Sequence, residues 1–283
     1  MGWTERQAAM LKEMGLRVEV DAQAASASAA LAVEPVAREK RTLRQDLTPS
    51  ASAPASAAAL TSVAPASSLP STPTTAAGLA IASMDWSELR DTVAACTACK
   101  LCQGRTQTVF GVGHPQADWM VVGEAPGEQE DAQGEPFVGK SGQLLDNMLR
   151  ALGISRDATG TDRSRQAYIA NSVKCRPPGN RNPAPDELAQ CEPFLVRQIA
   201  LLQPKIILAM GKFAVQSLLR SAEPIGKLRG RVHRYQGVPL IVTYHPAYLL
   251  RNLDEKARAW DDLCLAAETA ERADEPADAQ ATG

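Results

Sequence analysis

The sequence is short of several things, and each shortage narrows what the chain can be. Six cysteines in 283 residues are too few for a disulfide-dense secreted scaffold. The N-terminus carries Glu5, Arg6, Lys12 and Glu13 and has no continuous apolar stretch, so neither a secretory leader nor a membrane span is expected there. Excess positive charge is also missing: the formal net charge is −2, which taken alone argues against a nucleic-acid binder. Histidine is scarce, with three residues in all, so any one of them placed beside other polar groups is a site candidate. What remains is a cytoplasmic protein, 45% apolar, long enough for one well-buried domain and a sizeable remainder.

The charge is unevenly distributed. Residues 98–260 hold 21 Lys and Arg against 15 Asp and Glu, a net of +6, whereas residues 261–283 hold 1 against 7, a net of −6. A basic middle suits a polyanionic partner. Composition divides the chain further. Met10, Leu11, Met14 and Leu16 fall at roughly helical spacing, which predicts a short amphipathic helix within residues 1–21, a candidate docking segment for a protein partner. Residues 22–83 are dominated by Ala, Ser, Pro and Thr; side chains this small cannot offset the entropy of ordering, so a disordered linker is expected. The folded domain is expected over 84–270, and an acidic disordered tail over 271–283.

Within that domain short apolar runs alternate with helical patterns. Asp118–Gly123, Tyr168–Val173, Lys205–Gly211 and Pro239–Tyr244 read as buried strands. Helices are predicted from Asp85 as a cap, over Gly139–Leu152, Pro185–Leu202, Lys212–Leu219 and Asp254–Ala270. Such alternation implies an α/β fold: a three-layer αβα sandwich around a four-stranded, mostly parallel sheet. Ligands of such sheets bind at the carboxyl ends of the strands, where Gly123–Gly127, Asn171–Cys175, Gly211 and His245–Arg251 fall.

Cys96 and Cys99 form a C-x2-C pair, and Cys175 and Cys191 follow in the next strand-to-helix region. Four thiolates suit either a [4Fe–4S] cluster or a structural zinc, and spacing does not separate these. Cys102 extends the first pair to C-x2-C-x2-C, while Cys264 reads as a core thiol in the closing helix.

Five motifs occur in order: CTAC at Cys96–Cys99, GEAPG at Gly123–Gly127, PFVGKSGQLLD at Pro136–Asp146, YIANSVKCRPPGNRNP at Tyr168–Pro183 and YHPAYLLR at Tyr244–Arg251. Together they closely resemble the family 4 uracil-DNA glycosylases, over about residues 86–265. The resemblance implies a uracil-DNA glycosylase-like fold, uracil-containing DNA as partner, a monomer, and a [4Fe–4S] cluster on Cys96, Cys99, Cys175 and Cys191 with Cys102 left out.

It also implies roles. Uracil must leave the stack before it is cut. Leu249 or Leu250 would fill the gap as an apolar wedge, and Arg251 and Ser141 would hold phosphate. Phe137 would stack on the base, with Gly123 and Gly127 at the ends of the turn that borders it. Asn171 has both a donor and an acceptor and would pair with uracil O4 and N3–H, a pattern that rejects cytosine. His245 would donate to O2 as negative charge builds on the departing base. The related family 1 carries an aspartate where this chain has Ala125, so Glu124 is the expected catalytic carboxylate, with Glu130 and Asp131 competing.

Other readings are a sister glycosylase that traps uracil DNA covalently, an iron–sulfur DNA-binding module without catalysis, and a phosphate-binding loop at GEAPG. The first calls for a histidine-containing loop where this chain has CRPPGNRNP; the second would have lost Glu124, Asn171 and His245; the third lacks G-x-x-x-x-G-K-[ST].

Overall fold

The computed structural model describes residues 76–273, with side chains from residue 80 onward. The expected helix at 1–21, residues 22–75 of the expected linker and residues 274–283 of the expected tail lie outside the described residues.

The chain enters through α1 (Ala76–Ser83) and α2 (Trp86–Ala94), then β1 (Val112–Gly113), β2 (Trp119–Gly123), α3 (Glu128–Gln133), α4 (Lys140–Ala151) and β3 (Ala167–Asn171). It continues through α5 (Pro185–Leu202), β4 (Ile206–Met210), α6 (Lys212–Leu219), α7 (Ile225–Leu228), β5 (Val232–Tyr235), β6 (Val238–Thr243), α8 (Pro246–Leu249) and α9 (Glu255–Ala273). The sheet order is β1-β3-β2-β4-β6-β5. The four inner strands are parallel and match the four expected from sequence. The structure adds β1 and β5, which pair antiparallel at the two edges.

Alternation along the strands explains the three layers. Val121, Ile169, Leu208 and Ile241 join Leu145, Met148 and Leu149 of α4 and Trp260 and Leu263 of α9 in one core. Their neighbours Met120, Val122, Ala170, Ile207, Ala209, Leu240 and Val242 face the other way, onto Leu195 and Ile199 of α5 and Val215 and Leu218 of α6. With both faces covered, the inner strands are mostly apolar up to their last residues, which is why they read as runs. Truncating a leucine here, such as Leu145, would cost roughly 2–5 kcal/mol.

Asp85 caps α2 as expected: its side chain accepts from the Glu88 amide at 2.9 Å, and Glu88 accepts from the Asp85 amide at 2.9 Å. The folded domain is expected from residue 84; the described residues also include α1 before it, which packs on α5 and buries Ile81 beside Phe110 and Phe194. The segment AAGLAIAS has the same small-residue composition as the linker, so composition does not mark the transition.

All four inner strands run the same way, so their exits gather at one end of the sheet: Gly123 ends β2, Asn171 ends β3, Gly211 follows β4 and Tyr244 follows β6. No helix among the described residues is long and apolar enough to cross a membrane.

Candidate active site and cysteine cavity

A wide cleft, open to solvent, lies over those strand exits. Glu124, Gly127, Phe137, Ser141, Asn171, His245 and Arg251 all line it, so it collects most of the residues singled out from sequence.

Phe137 is the side wall. Its ring stacks on the His245 imidazole with centroids 5.4 Å apart and planes 28° apart. Its backbone adopts φ 57°, a left-handed conformation that a bulky residue takes only when its surroundings hold it there. Arg156 supplies part of that hold: it donates to Pro136 O at 2.7 Å and Phe137 O at 3.3 Å while paired with Asp146 at 2.7 Å. Glycines supply the rest. A Cβ on Gly142 would lie 1.7 Å from Phe137 O, and one on Gly123 would lie 2.4 Å from Asn171 Oδ1 and 2.6 Å from Phe137 Cζ. Gly123 therefore acts through its absent side chain, letting Phe137 and Asn171 close on the strand.

Asn171 ends β3, paired in register with Gly123, and is 2% exposed. Its Oδ1 is buried and has no hydrogen-bond partner. An acceptor left so costs roughly 1–3 kcal/mol, which a ligand N–H would recover.

His245 caps α8: Nδ1 accepts from the Ala247 amide at 3.2 Å. A ring nitrogen that accepts carries no proton, so the neutral ring holds its proton on Nε2 as a donor. Burial, reinforced by the nearby Arg251 cation and opposed by Glu130, pushes its pKa down to about 4. The other two histidines are engaged elsewhere, His114 with the Gln116 amide and His233 with Leu228 O.

The three carboxylates separate by their partners. Glu130 accepts from the amides of Gly127 at 3.1 Å, Val138 at 3.0 Å and Gly139 at 3.1 Å, and so fastens the loop carrying Phe137. Asp131 takes the Thr106 amide with both oxygens, at 3.0 and 2.9 Å. Both competing carboxylates are thus committed to backbone. Glu124 lines the cleft with no donor countering its desolvation, and burial alone pushes its pKa above the ordinary carboxylate range. A carboxylate that no amide donor engages is free to act on a ligand in the cleft.

The rim brings a correction. Leu249 is 1% exposed and belongs to the core with Trp260 and Leu263, so it cannot also be a wedge. Leu250 is 41% exposed, in the company of exposed Tyr248 and Leu253. A four-residue helix turns successive side chains to different sides, which separates the two leucines. Tyr248, Tyr244, Lys212, Asn180, Arg181 and Asn182 also line the cleft, although the sequence reading gave them no individual role.

A second, narrow hollow lies beside the β3 exit loop, lined by Cys96, Cys99, Cys102, Cys175 and Cys191. None of the six cysteines is in a disulfide. Arg105 Nη1 donates to Cys175 Sγ at 3.2 Å, and the Lys174 amide donates to Cys191 Sγ at 3.4 Å. Burial pushes the Cys175 thiol up and that of Cys191 up to about 12. Thiols so buried ionise only against a positive centre, and donors aimed at sulfur support metal-bound thiolates. Among the described residues no group of three His, Cys, Asp or Glu side chains is arranged to hold a single metal ion. The sulfurs border a space instead of converging on a point. Cys264 packs at the edge of the α9 core, as expected for a core thiol.

Comparison with known proteins agrees with this geometry. The sequence model of the Uracil DNA glycosylase superfamily matches residues 110–264. A type-4 uracil-DNA glycosylase from Sulfurisphaera tokodaii is 44% identical over 174 residues, 58% of this chain and 76% of the relative. One from Thermotoga maritima is 43% identical over 165 residues, 58% of this chain and 82% of the relative. One from Pyrobaculum aerophilum is 38% identical over 192 residues, 64% of this chain and 93% of the relative. With the family match spanning more than half of its residues and these relatives covered over most of their length, the chain belongs to the uracil-DNA glycosylase superfamily, in its type-4 branch.

Proposed function

We propose that this protein hydrolyses the N-glycosidic bond of uracil in DNA, releasing free uracil and leaving an abasic site for base excision repair. The observation that carries the reading is the buried, unpartnered Asn171 Oδ1 in the same cleft as Phe137, Glu124 and the Nε2–H of His245. An orphan acceptor at the back of a slot calls for an N–H on the ligand, and uracil N3–H supplies one.

In this mechanism the extruded base stacks on Phe137, while Asn171 accepts from N3–H through Oδ1 and donates through its amide nitrogen to O4. Cytosine offers an amino group in place of O4 and an unprotonated N3, and meets donor with donor and acceptor with acceptor. As the C1′–N1 bond breaks, its electron pair passes into the uracil ring, and His245 Nε2–H stabilises the charge at O2. A neutral imidazole serves here because it donates without keeping a proton it must later lose. Glu124 faces the cationic sugar, orients a water toward C1′ and takes its proton as the C1′–O bond forms. Leu250 fills the vacated space in the duplex, and Ser141 and Arg251 hold phosphate, with Lys212 and Arg181 adding positive charge on the lining of the same cleft.

Cys96, Cys99, Cys175 and Cys191 would hold a [4Fe–4S] cluster, with Cys102 at its margin. The support is a set of sulfurs bordering a space and two N–H donors directed at them. When bound, the cluster supplies a cross-link between the start of the domain and the loops carrying Asn171. The catalytic domain is assigned to the ordered body up to about residue 270. A reducing cytoplasm fits six cysteines of which none is in a disulfide.

The deciding experiment incubates the purified protein with a uracil-bearing oligonucleotide without added metal. Free uracil and an alkali-labile site are expected; an oligonucleotide that survives alkali intact would overturn the reading. Iron analysis alongside is expected to give about four irons per chain and broad absorption near ~400 nm, and a colourless zinc protein would overturn the cluster assignment.

A further inference from the structure

Lys174 belongs to neither hollow's reactive set, yet it lies between them. It is 1% exposed, a long cation enclosed by protein. Its ammonium donates to Asn171 O at 2.9 Å and to Gln198 Oε1 at 2.6 Å. Gln198, itself 0% exposed, donates from Nε2 to Phe110 O at 2.9 Å and to Tyr168 Oη at 3.3 Å. The Lys174 main chain is fixed separately, by its amide on Cys191 Sγ and by its carbonyl, which accepts from the Val109 amide at 2.8 Å.

This buried network ends on the backbone of the residue that reads the base. No hydrogen bond within the protein holds Asn171 Oδ1. Its direction rests on close packing over Gly123 and on the placement of its own backbone. On one side that backbone is held by β3, with the following amide, Ser172 N, donating to Gly123 O at 3.0 Å. On the other, its carbonyl is held by the Lys174 ammonium, where the strand has already ended. A mobile carbonyl would let the peptide rotate and swing the amide out of the plane of a stacked base. Displacements of about 1 Å at a reacting centre can cost on the order of a hundredfold in rate.

We propose that Lys174 is a positioning residue for uracil excision: by pinning the Asn171 carbonyl it holds the Asn171 amide in register with the extruded base. The inference rests on the glycosylase reading given above and deepens it, adding a residue that touches neither substrate nor the reacting atoms.

The test is a double-mutant cycle on the full chain isolated with its iron, read by single-turnover excision from a single-stranded uracil oligonucleotide. Lys174→Met keeps the length of the side chain and removes the donor. It is expected to lower the maximal rate about tenfold or more while changing the half-saturating enzyme concentration less than about twofold, because phosphate contacts are untouched. In an Asn171→Ala background the same substitution is expected to cost less than about twofold, since the group it positions is gone. Gln198→Leu, which removes the other partner of the ammonium, is expected to follow the same pattern with a smaller loss. It decides the matter alone if Lys174→Met emerges short of iron. Equal losses in both backgrounds, no loss in either, or loss of iron from both variants would overturn the inference. An unsubstituted protein that excises no uracil would overturn the glycosylase reading and this inference with it, whereas an active protein with additive losses overturns only the role of Lys174.

Discussion

The two hollows flanking the exit of β3 share one short segment, Asn171–Cys175, and they treat polar groups in opposite ways. In the cysteine cavity donors are directed at acceptors: Arg105 and the Lys174 amide point at sulfur, and Lys174 itself is bonded twice. In the cleft polar groups are left waiting. Asn171 Oδ1 has no partner, Glu124 is desolvated without a countering donor, and His245 directs only Nδ1 into the protein. Internal satisfaction stabilises a fold, whereas a withheld partner is a place for a ligand. The comparison predicts that damage to the first hollow costs stability and activity together, and damage to the second costs activity alone.

The severest way to break that contrast is Cys191→Ala. If the cavity holds up the fold, this variant should lose iron and several kcal/mol of stability, on the order of what a structural metal site contributes, as measured by iron content and urea denaturation. A variant of unchanged denaturation midpoint would erase the distinction. Next comes His245→Ala, expected to slow excision by about 10²–10³, or roughly 3–4 kcal/mol, as for removal of one oxyanion donor. Its iron content should stay normal, and loss of iron would place His245 in the wrong hollow.

A third test uses pH. His245 has a pKa of about 4 in the fold against 6.5 for a free side chain. The unfolded chain therefore takes up this proton first as pH falls. The stability that neutral His245 contributes is complete above about pH 6.5 and is lost on the way down to about pH 4, by about 3 kcal/mol. The denaturation midpoint should fall more steeply over that window than that of His245→Gln, and parallel curves would show that the ring is not held neutral. Asn171→Asp, the fourth, should move preference from uracil toward cytosine by about tenfold, or ~1.4 kcal/mol, in paired excision assays; an unchanged ratio would deny Asn171 its reading role. The smallest effect belongs to the rim. Leu250→Ala should slow excision from duplex several-fold, about 1 kcal/mol, and leave single strands unaffected, so equal losses on both would show that Leu250 does not act as a wedge.

Legibility in the sequence followed the same division. The inner strands were readable because a strand buried on both faces becomes an apolar run, as in Trp119–Val122 and Ile206–Met210. The edge strands were not. Val112–Gly113 is two residues long, and Val232–Tyr235 alternates exposed and half-buried positions and returns through a Gln236–Gly237 turn with φ of 48° and 89°. Phe137, Asn171 and His245 stand out in sequence through the family motifs that carry them, and the structure gathers all three in one cleft. Lys174 and Arg156 were not, since a lysine or arginine in sequence reads as solvated surface and only the fold reveals that either is enclosed. Glu130 looked like a rival to Glu124 for a related reason: nothing in the letters tells a carboxylate that gathers backbone amides from one that waits for substrate. Leu249 and Leu250 are adjacent in sequence, and only the turn of α8 assigns one to the core and the other to solvent.

Gly123 and Gly142 have one more consequence. Between them they leave no spare room beneath Phe137: a single methyl group on either would collide with the ring or its carbonyl. The Phe137 wall is therefore backed by main chain, and the ring has nowhere to retreat. Retuning this scaffold toward purines would have to replace Phe137 itself or use the open flank of the cleft, since a larger base cannot push the ring aside.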